Sequence, residues 1–385
     1  MVTRPGWLVV VGSVLVVAAG RLFGLPELYL LGATGIALVV VAVVVVRRRA
    51  PVLDVERTIH PRQVPLGTSS RVELRITNRG RRRTPVLSMH DPVAGTVGAT
   101  VSLAPLAPAE KQAASYRLPT EHRGVVRIGP LDAQLTDAFG LARRRFTVAG
   151  DAALTVLPAI EDLGGPSTGG GFDDPLAGVV HPVLGSAGDE DFATLRPYVV
   201  GDDLRRVHWS SSARADDLLV RQDDPPWQGH VTVLLDARRS HLDAEHFELA
   251  VSAAASLLHA VALRGDRARL VITDGTDSGL LDARTGRDTL LEHLAVVDRH
   301  PGTDLPQPAV DGRTRSGGLV LVTGTPVAVD VGILRTLRSR FAAIRVVAIA
   351  EDPAPVPGVE VVAVPDGVSF ASAWRTSSRR PVALR

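Results

Sequence analysis

The stretch His230-Val-Thr-Val-Leu-Leu-Asp236-Ala-Arg-Arg-Ser240 decides how the second half of the chain is read. Val231, Val233, Leu234 and Leu235 make a short apolar run, the pattern of a strand covered on both faces, and the run ends on a carboxylate. Working downstream, residues 244–263 predict a helix, with Phe247, Val251, Ala254, Leu258 and Val261 on one stripe. Residues 269–273 predict a strand, 290–297 a helix after Arg287-Asp288, 319–323 a strand, 331–341 a helix, and 344–350 and 359–364 two more strands. This alternation predicts an α/β domain over residues 230–385 built on a mostly parallel sheet. Ligands of such sheets bind at the carboxyl ends of the strands, which sets Asp236, Asp274 and Gly324 along one edge.

Working upstream, residues 189–229 hold an unusual concentration of arginine, aspartate and aromatic side chains: Arg196, Tyr198, Asp202, Arg205, Trp209, Arg214 and Arg221. Guanidinium forks pair bidentately with carboxylates, and an indole offers a flat stacking face. Two readings stay open: a structural ion-pair network, or a site for a phosphorylated or acidic ligand or partner. Residues 158–188 contain eight glycines and four prolines and predict a linker. The run Gly169-Gly170-Gly171 has no flanking strand or phosphate-binding lysine, which excludes a P-loop.

Residues 51–157 read as strands. Val72, Leu74 and Ile76 alternate with Arg71, Glu73, Arg75 and Thr77, a period of two. Further short runs at 85–90, 96–103, 113–118, 124–128, 133–135 and 153–157 predict an immunoglobulin-like β-sandwich. The clusters Arg81–Arg83 and Arg143–Arg145 read as solvated loops or edge-strand guards, with a lipid or acidic partner as the sharper alternative.

The first 50 residues predict a transmembrane hairpin. Residues 28–46 are nineteen without a charge, and residues 7–20 form a shorter apolar run that Leu22-Phe23-Gly24-Leu25 extends, with a turn at Pro26-Glu27. Membrane lipid is therefore an expected partner through residues 7–46. Arg4 and Arg47-Arg48-Arg49 put the flanks, and the soluble domains, in the cytoplasm by the positive-inside rule, giving a multi-pass protein of the cell membrane. The alternative is a signal peptide ending near Ala18-Ala19-Gly20, after which the second run becomes a stop-transfer helix with the same cytoplasmic side.

Composition narrows the functions. The 385 residues carry 43 basic and 41 acidic side chains, a formal charge of +2, and no cysteine. Cysteine nucleophiles, thiolate zinc sites and disulfide scaffolds are excluded. The near-balance of charge and 4% aromatic content give no footprint for nucleic acid.

The motif Asp191-Phe192, Leu195-Arg196-Pro197-Tyr198, Gly201-Asp202, Arg205, His208-Trp209, Ser212-Ala213-Arg214 and Leu219-Val220-Arg221 resembles the domain-of-unknown-function-58 family. The upstream run Arg123-Gly124, Gly129-Pro130 and Asp137-Ala138-Phe139-Gly140-Leu141 resembles the same family's β-domain signature, with Ala138 where proline is usual. The resemblance implies a membrane-anchored protein with a doubly wound domain like that of von Willebrand factor A, associated with a MoxR-type AAA ATPase and without an established catalytic activity. In that fold a D-x-S-x-S motif follows the first strand and holds Mg²⁺ with a later threonine and aspartate. Here Asp236 and Ser240 are a degenerate remnant, because Arg238 replaces the middle serine and is expected to pair with Asp236. Two oxygen groups beside a guanidinium hold Mg²⁺ poorly. Thr323-Gly324 stands where the fold would offer Thr-Asp, and Thr273-Asp274-Gly275 reads as a turn.

The expected function is a non-enzymatic adaptor or assembly factor facing the cytoplasm, with no cofactor and no metal. One alternative is a hydrolase using His208, Asp202 and Ser210–Ser212, although no G-x-S-x-G elbow surrounds these serines. The other is a metal-dependent adhesion module.

Overall fold

The computed structural model describes residues 1–48, 51–164, 192–197, 212–213, 218–223, 230–306 and 317–378. They fall into two compact units, Met1–Ala159 and Ile160–Arg385.

The first unit opens with α1 (Arg4–Phe23) and α2 (Pro26–Arg48). Both are long and apolar enough to cross a membrane, since about 20 residues at a rise of about 1.5 Å match a hydrocarbon core of about 30 Å. The turn lies at Gly24, left-handed at φ 69°, and not at Pro26-Glu27. Pro26 instead opens α2, where its missing N–H would have no helical partner anyway. A Cβ on Gly32 would collide with Ser13 and Val17 of α1, so the small residue is what lets the helices touch. The outer faces expose Leu8, Leu15, Leu30, Leu31 and Val40.

Ten strands follow: β1 (Leu53–His60), β2 (Gln63–Pro65), β3 (Ser70–Asn78), β4 (Leu87–Asp91), β5 (Ala99–Leu103), β6 (Lys111–Leu118), β7 (Gly124–Ile128), β8 (Leu131–Thr136), β9 (Arg143–Ala149) and β10 (Ala152–Leu157). They form sheets in the orders β1-β3-β6, β2-β10-β7 and β5-β4-β8-β9. The alternation read in β3 holds, with Val72, Leu74 and Ile76 fully buried. They join a core drawn from all three sheets that runs on into Val39, Ala42 and Val46 of α2. The sequence reading lacked β1, β2 and β9. Arg143–Arg145 lie on β9, at the edge of its sheet, where charge discourages pairing with another chain.

The second unit contains the antiparallel pair β11 (Phe192–Pro197) and β12 (Leu219–Asp223), both read in sequence as motif and not as strands. Then come β13 (His230–Leu235), α3 (Ala244–Arg264), β14 (Arg267–Ile272), β15 (Leu281–Asp282), α4 (Ala283–Val296), β16 (Gly318–Thr323), α5 (Ala328–Leu337), β17 (Ala343–Ala348), β18 (Glu360–Ala363) and α6 (Phe370–Ser378). The sheet order is β15-β14-β13-β16-β17-β18. Its pairs are parallel except β14 with β15, so the sheet is mixed.

Phe247, Val251, Ala254, Leu258 and Val261 of α3 are all buried. This helix is also long and apolar enough to span a membrane, but 67% of its apolar window is buried inside the protein. Two helices depart from expectation. α4 starts seven residues before Leu290, because the Asp282 carboxylate caps the N–H groups of Arg284 and Thr285 at 2.9 and 3.1 Å. α6 was not foreseen; it is short, and of its four apolar residues Phe370, Ala371 and Trp374 are buried.

The start of the expected linker is packed and not loose. The Glu161 N–H donates to Ser256 Oγ at 2.9 Å, its carboxylate accepts from the Ala371 N–H at 2.9 Å, and Leu163 is buried. Residues 165–188 lie outside the described residues.

Candidate functional site

β13 and β16 are parallel neighbours, with Leu235 beside Val322. Their next residues, Asp236 and Thr323, therefore emerge together at the carboxyl edge of the sheet. The Asp236 N–H donates to the Val322 carbonyl at 2.8 Å, and Thr323 Oγ1 donates to Asp236 Oδ2 at 2.6 Å. Asp236 Oδ1 accepts the Arg238 N–H at 3.0 Å, a tight turn that folds the Arg238 side chain back over the strand end.

The guanidinium is saturated. Arg238 Nε and Nη2 donate to Asp236 Oδ1 and Oδ2, both at 2.8 Å. Nη1 and Nη2 donate to Asp330 Oδ1 and Oδ2 at 3.1 and 3.0 Å, and Nη1 also donates to the Thr303 carbonyl at 2.9 Å. Arginine has five N–H donors, and each meets an oxygen. Arg238, Asp236, Asp330 and Thr323 are at most 1% exposed. His241 closes the cluster, with Nδ1 2.9 Å from Asp236 Oδ2 and 3.1 Å from Arg238 Nη2. Burial pushes the Asp236 carboxyl up, but the hydrogen bonds from Arg238 and Thr323 outweigh it and hold the group below the usual carboxylate range. Burial likewise opposes the charge on Arg238, and the two carboxylates more than reverse that.

The loop is braced from behind. Thr273 Oγ1 accepts the Ala237 N–H at 2.8 Å and lies 2.9 Å from His300 Nε2. The His300 N–H donates to the Ala237 carbonyl, and the Arg239 N–H to the His300 carbonyl, each at 2.9 Å. Gly324 is required because a Cβ there would strike the His241 carbonyl.

Of the residues read along this edge, Asp236, Arg238 and Thr323 come together as the pairing of Arg238 with Asp236 anticipated. Ser240 does not join them; it sits exposed in the following turn. Asp274 is a turn residue, its Oδ1 accepting the Thr276 N–H at 2.8 Å. Sequence reasoning missed Asp330 and His241. The second carboxylate on Arg238 is Asp330, seven residues after Thr323, in the first turn of α5. An acid in a helix's first turn is ordinary dipole chemistry, so nothing marked it as a site residue.

The arginine–aspartate motif is only partly described. Arg196 pairs in register with Val220, and Arg221 with Leu195, across β11 and β12. The Leu219 N–H donates to Ser212 Oγ at 2.8 Å, and Ala213 is exposed. Tyr198, Gly201, Asp202, Arg205, His208, Trp209, Ser210, Ser211 and Arg214 lie outside the described residues.

Residues 194–369 match the family model described as "Protein of unknown function DUF58". Over 143 residues the chain is 28% identical to the uncharacterized protein YeaD of Bacillus subtilis (strain 168), covering 34% of each chain. The match thus spans about a third of that curated relative. Among solved structures, the CARDB domain of PF1109 from Pyrococcus furiosus gives a TM-score of 0.22 at 19% identity, over 28% of this chain and 93% of that one. A β-glucosidase from Listeria innocua gives 0.17 at 15% identity, over 28% and 17%. Likenesses this low assign neither fold nor activity. The family resemblance read from the motif is matched over residues 194–369, which are similar to a family described as of unknown function.

Proposed function

We propose that this chain is a membrane-anchored, cytoplasm-facing, non-enzymatic adaptor or assembly factor. In this reading its α/β unit is a von Willebrand factor A-like module whose cation place is filled by its own Arg238. The observation that carries the reading is the saturation of Arg238 between Asp236 and Asp330 at the carboxyl ends of β13 and β16. Counted from β13, the strand order is 3-2-1-4-5-6, an order used by doubly wound folds that bind ligands where the order reverses. That reversal lies between β13 and β16, which supports the placing of the cluster at a former ligand position. With both carboxylates committed to an internal guanidinium, the edge keeps its shape without an added ion and is free to present loops to a protein partner.

In the first unit, three sheets on one core support the sandwich reading. A hydrogen bond from Thr3, the N-cap of α1, to Leu141 in the strand-rich part of the same unit supports retention of the first apolar run over its cleavage as a signal. The basic ends, Arg4 with Arg47 and Arg48, favour the cytoplasmic side. A MoxR-type AAA ATPase as partner follows from the family resemblance. The hydrolase reading loses support at Ser212, whose hydroxyl is engaged by Leu219.

Two measurements test this. A reporter fused after Arg385 should work only if that reporter functions in the cytoplasm; activity of a periplasm-only reporter would overturn the orientation. Proximity labelling from the same end in intact cells should enrich an AAA ATPase. A labelled set without any ATPase would remove the assembly-factor reading.

A further inference from the structure

The loop between β8 and β9 closes against the N-terminus of α1. Thr3 donates through its N–H to the Leu141 carbonyl at 2.9 Å and through Oγ1 to the Gly140 carbonyl at 2.5 Å. Val2 bridges Ala142, and the Arg143 N–H donates to the Met1 carbonyl at 2.9 Å. The far end of the hairpin is tied to the same strand, because Arg144 Nη1 donates to the Arg47 carbonyl at 3.1 Å. Helices and sheets of this unit also share one core.

One residue from the Gly140 contact, Phe139 is 69% exposed. The loop that carries it is tightly bonded: Asp137 accepts the N–H groups of Phe139 and Ala142 at 2.9 and 2.5 Å, and the Gly140 N–H returns to the Asp137 carbonyl at 3.1 Å. A large apolar ring held outward on a fixed loop, level with the end of a membrane-length helix, is at the depth where aromatic belts lie. Trp7, in the first turn of α1, is 59% exposed. At the two ends of the hairpin and on β9 the exposed basic side chains are Arg4, Arg47, Arg48, Arg143, Arg144 and Arg145. Arg144 is engaged by the Arg47 carbonyl, Arg143 Nη1 also donates to Gln134 Oε1 at 3.4 Å, and Asp137 is occupied by backbone N–H groups.

We propose that the 137–141 loop and the edge strand β9 form a membrane seat for anionic phospholipid. Phe139 enters the headgroup–acyl boundary beside α1, and Arg143 and Arg145, with Arg4 and Arg48, bind headgroup phosphates. The proposal rests on the reading of α1 and α2 as spans. Its consequence is that the strand-rich unit is held at a fixed angle on the bilayer and does not swing on a tether.

The absence of cysteine makes a clean test possible. The full chain carrying Phe139→Cys with an environment-sensitive fluorophore is reconstituted into phosphatidylcholine vesicles with or without phosphatidylglycerol. Val97→Cys, 94% exposed beside β5 at the opposite edge of the same sheet, is the control. The label at 139 should shift to the blue and be quenched by a spin label at headgroup depth, while the label at 97 stays aqueous. Retention of phosphatidylglycerol on purification in detergent should be lost in the Arg143→Gln, Arg145→Gln double variant. An aqueous label at 139, or lipid retention indifferent to both arginines, overturns the seat. Alkaline extraction of the unmodified chain separates the two levels: a chain that resists extraction but shows an aqueous label at 139 retains its spans and has no seat. A chain released by alkali has neither.

Discussion

The two units each bury an arginine against an aspartate, and they do so differently. Arg238 and Asp236, with side chains 1% and 0% exposed, belong to a cluster in which every guanidinium donor has an acceptor. Arg57 and Asp91, at 4% and 2%, are as deeply buried, 3.2 Å apart. Arg57 Nη1 reaches the Ile128 carbonyl at 3.1 Å and Tyr116 donates to Asp91 Oδ2 at 2.6 Å, but Arg57 Nε and Nη2 and Asp91 Oδ1 lack an aligned hydrogen bond among the described residues. The electrostatic outcomes are opposite. Burial raises the Asp91 carboxyl in spite of Tyr116 and Arg57, whereas Asp236 is held low. Burial alone therefore does not decide what a buried pair does; the number of aligned donors does. Arg57 braces the β7–β8 corner, where a Cβ on Gly129 would press on its guanidinium. Arg238 holds a strand-end site closed.

The comparison breaks first at Arg238. Arg238→Ala leaves two buried carboxylates facing each other, and the expected loss is at the upper end of the about 3–5 kcal/mol for a broken buried pair. It should appear as a lowered urea midpoint of the second unit. Arg57→Ala should cost less, about 1–3 kcal/mol, because fewer aligned hydrogen bonds are lost and Asp91 keeps the one from Tyr116. Equal losses would erase the distinction.

Acid sharpens the same contrast. Asp236 has a lowered folded pKa, so its contribution is present above the unfolded carboxylate value of about 4 and is lost as pH falls below it. Asp91 has a raised folded pKa, so its contribution favours the folded state at low pH and is lost as pH rises through the folded value. Urea titrations at stepped pH, followed by hydrogen exchange in peptides from each half of the chain, should show the α/β half that holds Asp236 weakening first below pH about 4. Simultaneous weakening of both halves would remove the contrast. The smallest effect is expected at the surface. Arg79 and Asp54, 65% and 42% exposed at 2.8 Å, should give about 0–1 kcal/mol for Arg79→Ala.

Legibility in the sequence followed burial pattern. α2 and β13 announce themselves as unbroken apolar runs, and β3 and the α3 stripe because apolar contact recurs at every second or every third to fourth residue. β9 opens on three arginines and needs only Phe146 and Val148 on its inner face, so its edge position hid it. α4 begins on a polar turn nucleated by Asp282. At the site, Asp236 and Arg238 were visible because they lie two positions apart along one turn. Asp330 reaches Arg238 across 92 positions, a contact that only the pairing of β13 with β16 creates.

The most direct test is calorimetric titration of the purified chain with Mn²⁺, alongside Arg238→Ser. If Arg238 is the site's internal cation, the unmodified chain shows no saturable heat at millimolar Mn²⁺, because a hard cation would have to displace a guanidinium already saturated by the same oxygens. Arg238→Ser frees Asp236, Asp330 and Thr323, and Mn²⁺ should bind it and raise its melting temperature. Saturable micromolar binding by the unmodified chain, lost in Asp236→Asn, would contradict the closed site.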